Sequence, residues 1–352
     1  MKICFHAKAA EIRKAAKKNM RTLSLIFLII VSFVAALAQD HRARLDALRA
    51  EGYEALYNLD YEGARSRFQK MIELAPDHPA GAQCFASSIW VQQLNEAWEL
   101  KATLYSTSAY TDAKPKVNRK HAEEFRKWTR QAKQLSEARL RKDPRDIEAL
   151  YFLGAAEGLE AAFAGGVERK FMAAFRAGRD SVGHHRDVLK QSPDFHDAEL
   201  TIGLMDYVIG SLPLPTKMLV ATMGVRGSKK RGLQALERVA VEGKWARDVA
   251  NVLLVDLYKR EKRWKDAIKT ARQLSEKYPR NYLFKLQIAD ALTSQIVALK
   301  KAKTPVAAEE KELQDIFASL SRDKTLDSAT RDLVHHRWTI ARQQLEPSGR
   351  NP

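Results

Sequence analysis

The chain has 352 residues, of which 45% are apolar and 29% are charged, while glycine and proline number only 16 and 11. This composition excludes a largely disordered chain and argues against a turn-rich all-β protein, whereas its abundant Ala, Leu, Lys, Arg and Glu favour helices. The formal net charge of +17 favours anionic partners, such as lipid head groups or acidic proteins.

Residues 1–38 have the pattern of a secretory signal peptide. Basic residues occur throughout the segment up to Arg21, an apolar stretch follows up to Leu37, and the small residues Ala36 and Ala38 suit cleavage after Ala38. The apolar stretch of about 15 residues is shorter than the ~20 needed to span a bilayer, which favours cleavage over an uncleaved membrane anchor. We therefore expect an exported protein of the bacterial periplasm or the extracellular space.

Removal of this leader would change the charge and the cysteine content. Met20 offers an alternative start that would give a leader of ordinary length. The full leader carries seven Lys/Arg and one Glu, a net of +6, so cleavage lowers the net charge from +17 to +11. Cys4 would be lost, which leaves Cys84 without a disulfide partner, so the exported chain depends on its hydrophobic core.

The segment 45–78 has the spacing of a helix–turn–helix repeat. Gly52 and Ala64 are small where two antiparallel helices cross closely, Phe68 fills the space between the helices, and Pro76 ends the second helix. The spacing therefore predicts two helices joined by a tight turn at 58–60.

A second copy of this pattern lies at 248–281, where the spacing from Ala267 to Pro279 equals that from Ala64 to Pro76 in the first copy. Between the copies the pattern is weaker. Gly154 and Gly203 each follow a proline at the same spacing. A standard repeat has ~34 residues, and the interval between these two glycines is longer by roughly 15 residues. The middle units are therefore longer than standard repeats.

The extra residues of the middle units are expected at 163–180 and after Tyr207, as insertions in degenerate long units spanning 113–247. Apolar residues at helical spacing fill most of the remaining chain. Further helices are predicted at 81–100, 121–140, 306–320 and 326–345.

These elements predict an all-α protein with one domain, residues 39–345. The last two helices would cap the array, a break would separate the two helices of the second unit at 107–118, and residues 346–352 would be disordered. No alternating apolar run of strand length is present.

The two good copies resemble the tetratricopeptide repeat superfamily, which implies a right-handed α-solenoid and says little about activity. Residues 212–239, LPLPTKMLVATMGVRGSKKRGLQALERV, are similar to a segment of the tetratricopeptide repeat protein 39 family, which includes the yeast inclusion-body clearance protein. Both have a proline-bearing turn, a short apolar helix, a Gly-x-x-Gly-basic turn at Gly224–Gly227 and a helix start at Gly232. The likeness implies a role linked to lipid homeostasis or to aggregates, in binding rather than in an enzymatic reaction.

The motifs of common enzymes and metal sites do not occur in the chain. The glycines at 224 and 227 lack the spacing of a phosphate loop, and no predicted strand precedes them. Adjacent histidines at 184–185 and 335–336 point about 100° apart on a helix and cannot both bind one metal ion well. Cys84 lies in an apolar helix, as a small core residue would. We expect no enzymatic activity, cofactor or metal.

Solenoids bind partners on the concave surface formed by the first helix of each unit. The resemblance places an apolar and aromatic set of residues there, which would suit an extended peptide or an acyl chain. The alternative is that the insertions cover this set, so that it belongs to the core. These residues are Tyr53, Tyr57, Tyr151, Leu200, Leu204 and Tyr207.

Two functional hypotheses follow, and nucleic acid is not expected as a partner of an exported protein. The first is a scaffold that binds a protein or peptide partner in the cell envelope. The second is binding to a lipid or membrane surface through segment 212–231, because interfacial helices combine apolar and basic residues. The apolar residues would be Leu212, Leu214, Met218, Leu219 and Met223, and the basic ones Arg226, Lys229, Lys230 and Arg231.

Overall fold

The computed structural model describes residues 39–96 and 118–346. Within these two ranges the chain forms fourteen α-helices and one short 3₁₀ turn, and contains no strand. The all-α prediction is therefore confirmed for the described residues. The predicted signal peptide, nearly all of the predicted break at 107–118, and the tail after Glu346 lie outside them.

Within each of the two described ranges the helices follow one another with short connections, and they pack mainly against their neighbours in the sequence, as adjacent pairs, which is consistent with a helical repeat. One exception is α7, which pairs with α9 because the short helix α8 lies between them in the sequence. The helices are α1 (39–57), α2 (Tyr61–Leu74), α3 (Pro79–Glu96), α4 (Arg119–Lys142), α5 (Ile147–Gly166), α6 (Phe171–Gln191), α7 (Glu199–Ser211), α8 (Leu214–Thr222), α9 (Lys229–Glu242), α10 (Arg247–Arg260), α11 (Trp264–Lys277), α12 (Tyr282–Lys301), α13 (Ala307–Arg322) and α14 (Ser328–Leu345).

The first pair, α1 and α2, has the contact that its sequence predicts. Phe68 is fully buried, and a Cβ built on Gly52 would lie only 2.3 Å from the ring of Phe68, so no larger residue fits there without movement. Asp60 ends the turn and caps α2 by accepting a hydrogen bond from the backbone N–H of Gly63 at 2.9 Å. In the second copy Ala267 is likewise fully buried, and Pro279 follows the end of α11.

The middle units differ from the prediction in two places. Segment 163–180 is not an insertion: α5 continues through Gly166 and α6 begins at Phe171, so the extra residues lengthen both helices. The predicted basic turn from Gly224 to Gly232 is also shorter, because α9 begins at Lys229. Ser228 accounts for this early start, since its hydroxyl caps α9 by accepting from the N–H of Arg231 at 3.4 Å.

The first helix also contacts much later parts of the chain. The carboxylate of Asp46 lies 2.9 Å from Lys244 Nζ, and Asn281 donates a hydrogen bond of 2.7 Å to the carbonyl of Tyr57. The guanidinium of Arg49 lies 3.8 Å from the centre of the Trp245 ring. These contacts join α1 to the connections that precede α10 and α12, and so link the first described helix to later units of the chain.

A buried histidine joins α5, α6 and α7. His185 Nε2 donates to the carbonyl of Tyr151 at 3.0 Å, and Nδ1 accepts from the hydroxyl of Thr201. Complete burial lowers the pKa of His185 to about 4, because the charged imidazolium is poorly solvated there. The side chain is therefore neutral in the folded protein at neutral pH.

This buried histidine predicts a loss of stability in mild acid. The folded-state pKa is below the ordinary value of 6.5, so stability is full above pH 6.5 and falls as the pH drops toward 4. Between pH 7 and pH 5 we expect His185 to account for about 2 kcal/mol of lost unfolding free energy. Urea unfolding of the wild type and His185→Gln at both pH values measures this.

His185→Gln should be less stable at pH 7 and less sensitive to acid, while His336→Gln, at an exposed position, should behave as the wild type. Equal acid sensitivity in the wild type and in His185→Gln would contradict the prediction.

Candidate functional site

The short helix α8 is the least buried of the described helices. It follows Pro213, contains no buried residue, and has few contacts except with the end of α7. Lys217 fastens it there, because Lys217 Nζ donates to the carbonyl of Gly210 at 2.8 Å. Leu219, two positions further, lies about 200° around the helix from Lys217 and therefore faces away from α7.

Four large apolar side chains of this segment are exposed to solvent. Their exposed fractions are 70% for Leu214, 64% for Met218, 62% for Leu219 and 50% for Met223. Isolated exposed apolar residues are common on protein surfaces, whereas a group of them on one short helix and its C-terminal end is typical of an interaction site. We call these four side chains the apolar tip.

The segment between α7 and α9, which carries α8 and which we call the insertion, is tightly packed at its base, in contrast to the apolar tip. A Cβ built on Gly227 would lie 2.5 Å from Ile209 Cβ and 2.6 Å from the carbonyl oxygen of Asp206, so the returning chain approaches α7 as closely as only glycine allows. At the end of α8, Gly224 has φ of +77°, the left-handed conformation that commonly ends a helix. The apolar tip therefore projects from a rigid base.

The four predicted basic residues fall into two classes. Lys229 forms an ion pair with Glu261 at 2.8 Å, and Arg231 forms one with Asp206 at 2.9 Å. Arg226 and Lys230 are exposed, and neither has an ion pair with a described residue. Of these four, Arg226 and Lys230 thus carry the charges that are not neutralised by a neighbouring carboxylate.

Glu261 connects this basic turn to the interior. It accepts hydrogen bonds from Lys229 Nζ at 2.8 Å and from the Tyr207 hydroxyl at 2.7 Å. Partial burial acts to raise the pKa of Glu261, but these two hydrogen bonds, together with the positive charges of Lys229 and Arg260, outweigh it and leave the pKa lowered. Lys229 therefore supports the fold more than it offers charge to a partner.

The residues predicted to line a concave groove are mostly packed in the core. Tyr57 and Tyr207 are 6% and 0% exposed, and the ring of Tyr57 lies 5.1 Å from that of Tyr278. Tyr53 packs edge-on to Phe68, and Leu200 and Leu204 are half-buried.

Tyr151, the sixth of these residues, is 8% exposed and lies among the rings of Phe152, Phe195 and Trp245, with centroid distances of 5.1–5.3 Å. The aromatic set therefore belongs to the core. The ring partners of Tyr57 and Tyr151, among them Tyr278 and Trp245, lie outside the two segments predicted as insertions. Tyr207, by contrast, lies beside Lys229 and Gly232, at the end of the second of these segments.

Residues 39–96 and 118–346 contain no group of three His, Cys, Asp or Glu side chains that could hold a metal ion. An open groove of about 520 Å³ between α11, α12 and α13 has lining residues of both charges, among them Arg272, Glu276 and Lys311. In the same ranges, none of the helices combines the length and the apolar character required to cross a bilayer.

One structurally important residue is absent from the sequence-based interpretation. Asp197 is 5% exposed and accepts hydrogen bonds from three backbone N–H groups, those of Lys244, Trp245 and Ala246, at 2.6–3.1 Å. These groups lie just before α10, so Asp197 caps that helix from a distance. The partners are 47–49 residues away in the chain, and no local sequence signal connects them.

No protein-family model matches this chain, and no curated protein matches it. The family interpretation therefore rests on the repeat residues and their packing alone.

Proposed function

We propose that this protein is an exported, non-enzymatic helical-repeat protein of the tetratricopeptide type that binds anionic membrane surfaces through α8 and the basic turn after it. The observation that carries the proposal is the apolar tip, whose four side chains are 50–70% exposed. The signal-peptide pattern of segment 1–38 supports export to the cell envelope, where such surfaces are present.

The combination of side chains favours a membrane over a soluble partner. An interfacial helix buries its apolar face about 5–10 Å into the boundary between head groups and acyl chains, while basic residues beside it contact phosphates. Here the apolar tip supplies the first component, and Arg226 and Lys230, unpaired within the described residues, supply the second. Each such cation contributes about 1 kcal/mol near an anionic surface.

The other hypothesis, a scaffold that binds a peptide in a concave groove, has less support. Its aromatic residues are committed to the core, with Tyr207 fully buried and Tyr57 packed near Tyr278. Recruitment of a protein partner to the membrane by other surfaces of the array is compatible with the proposal.

Sedimentation with lipid vesicles tests the proposal, using the exported protein after N-terminal sequencing has verified the removal of the leader. We expect binding to vesicles of phosphatidylcholine with phosphatidylglycerol, and much weaker binding to phosphatidylcholine alone or at high salt. The double variant Arg226→Glu/Lys230→Glu should bind the anionic vesicles roughly 30-fold less tightly, because two contributions of about 1 kcal/mol are lost.

Arg226 and Lys230 are better positions for this test than Lys229 and Arg231, whose reversal would also break the ion pairs to Glu261 and Asp206. The matched control is Lys142→Glu/Arg145→Glu. Both residues are exposed and lie at the junction between the end of α4 and the start of α5, whereas α6 begins near the other end of α5. This control should bind as the wild type. Absence of binding to anionic vesicles, or equal binding by both double variants, would refute the proposal; self-association without lipid would instead indicate a second copy as the partner of the apolar tip.

A further inference from the structure

We infer that the start of α6 is a second membrane contact, so that the array binds the surface by one edge and in one orientation. This inference rests on the proposed function of α8 and extends it to residues that no sequence motif indicates. Phe171 and Met172 are 42% and 55% exposed, and they are the first two residues of α6.

The contacts between α6 and α7 place these residues at the same edge as α8. His185, late in α6, contacts Thr201, early in α7. A Cβ built on Gly178, two turns before His185, would lie 3.6 Å from Met205 Sδ, further along α7. The two helices are therefore antiparallel, and the beginning of α6 lies beside the end of α7, from which α8 continues.

The chemistry around the second contact matches that of the first. Lys170 precedes Phe171, and Arg176 lies on the second turn of α6; both are exposed. Lys170 shares Glu168 with Arg126, whereas Arg176 has no ion pair with a described residue. Apolar side chains flanked by cations thus occur twice on this edge, at the end of α7 and at the start of α6.

Among the described residues, the large hydrophobic side chains with marked exposure belong almost entirely to this edge. Six of them are Phe171, Met172 and the four members of the apolar tip. The exception is Val241, which lies near the C-terminal end of α9, far from Lys229 at its start. Because α9 starts at the base of the insertion, its last residues lie away from that edge. Two contacts on one edge fix the tilt of the array, which a single short helix does not.

An environment-sensitive fluorophore on single cysteines tests this orientation. In the processed protein the remaining cysteine, Cys84, is fully buried, so the label reacts at Met172→Cys, Met218→Cys or Lys142→Cys in separate variants. On addition of vesicles containing phosphatidylglycerol, we expect the emission at positions 172 and 218 to rise severalfold and shift to shorter wavelength, while the label at 142 does not respond. Independently, Met172→Asp should weaken vesicle binding roughly tenfold.

The outcomes separate the two proposals. A response at 218 without one at 172, together with unchanged binding by Met172→Asp, would overturn the second contact and leave the proposed function intact. No response at 218 would remove the proposed function itself. A response at all three positions would show binding without a preferred edge and would also overturn the inference. Circular dichroism and the urea midpoint of Met172→Asp establish that the variant is folded.

Discussion

Replacement of Met218 and Leu219 by aspartate is expected to abolish most membrane binding while leaving the protein folded. Burial of one such side chain in an apolar environment is worth about 1.5–3 kcal/mol, and the two new carboxylates are repelled by anionic lipids. The affinity for phosphatidylglycerol vesicles should therefore fall roughly 100-fold or more. Both side chains are largely exposed, at 64% and 62%, so the unfolding free energy should remain nearly unchanged.

The matched control for this variant is Val241→Asp, which adds a carboxylate at a position that is 72% exposed and remote from the insertion. It should bind vesicles with nearly the affinity of the wild type. If Val241→Asp and the double variant lose binding equally, general charge repulsion explains the loss and the apolar tip has no specific role.

Replacement of Asp197 by alanine, unlike the aspartate substitutions in the apolar tip, is expected to lower the unfolding free energy strongly. Three backbone N–H groups just before α10 would lose their acceptor; one of these hydrogen bonds is buried and two are partly buried. Each unsatisfied buried donor costs about 1–3 kcal/mol. Some of these groups can gain access to water after local movement, so we expect a total loss of about 3–5 kcal/mol in urea unfolding.

Asp327→Ala is the comparison for this variant. Asp327 also caps a helix, by accepting from the N–H of Thr330 at 2.7 Å, but it is exposed. Its loss should cost about 1 kcal/mol, the usual value for an exposed cap. If Asp197→Ala loses no more unfolding free energy than Asp327→Ala, then the burial of the Asp197 hydrogen bonds does not increase their contribution to stability.

The sequence predicts the local elements of this fold well, because they depend on short-range patterns. Small residues such as Gly52 identify the close helix crossings, prolines identify the helix ends, and the two C-terminal helices begin and end close to their predicted positions. The apolar helix after Pro213 is also visible in the sequence, where its prolines and glycines bound a short apolar run. The candidate site lies mostly within one short segment of the chain, so short-range sequence patterns could predict it as well.

Long-range packing is what sequence patterns did not predict. The aromatic residues of the expected groove are buried by partners that lie far downstream in the chain, Trp245 against Tyr151 and Tyr278 against Tyr57. The pairing of Lys229 with Glu261 also depends on the neighbouring unit. Periodicity identifies which side of a helix is apolar, but it does not distinguish an open concave surface from one covered by another part of the chain.

The contact between α1 and later connections has a consequence for how the protein folds. In a simple repeat array each unit contacts only its neighbours, so folding can begin anywhere and spread along the chain. Here Asp46 and Tyr57 find partners 198 and 224 residues downstream. The first helix therefore completes its packing only after most of the chain has been synthesised, and such distant contacts slow folding. They also couple the first helix to the units around α10 and α12, so we expect α1 to unfold together with these units rather than to fray separately.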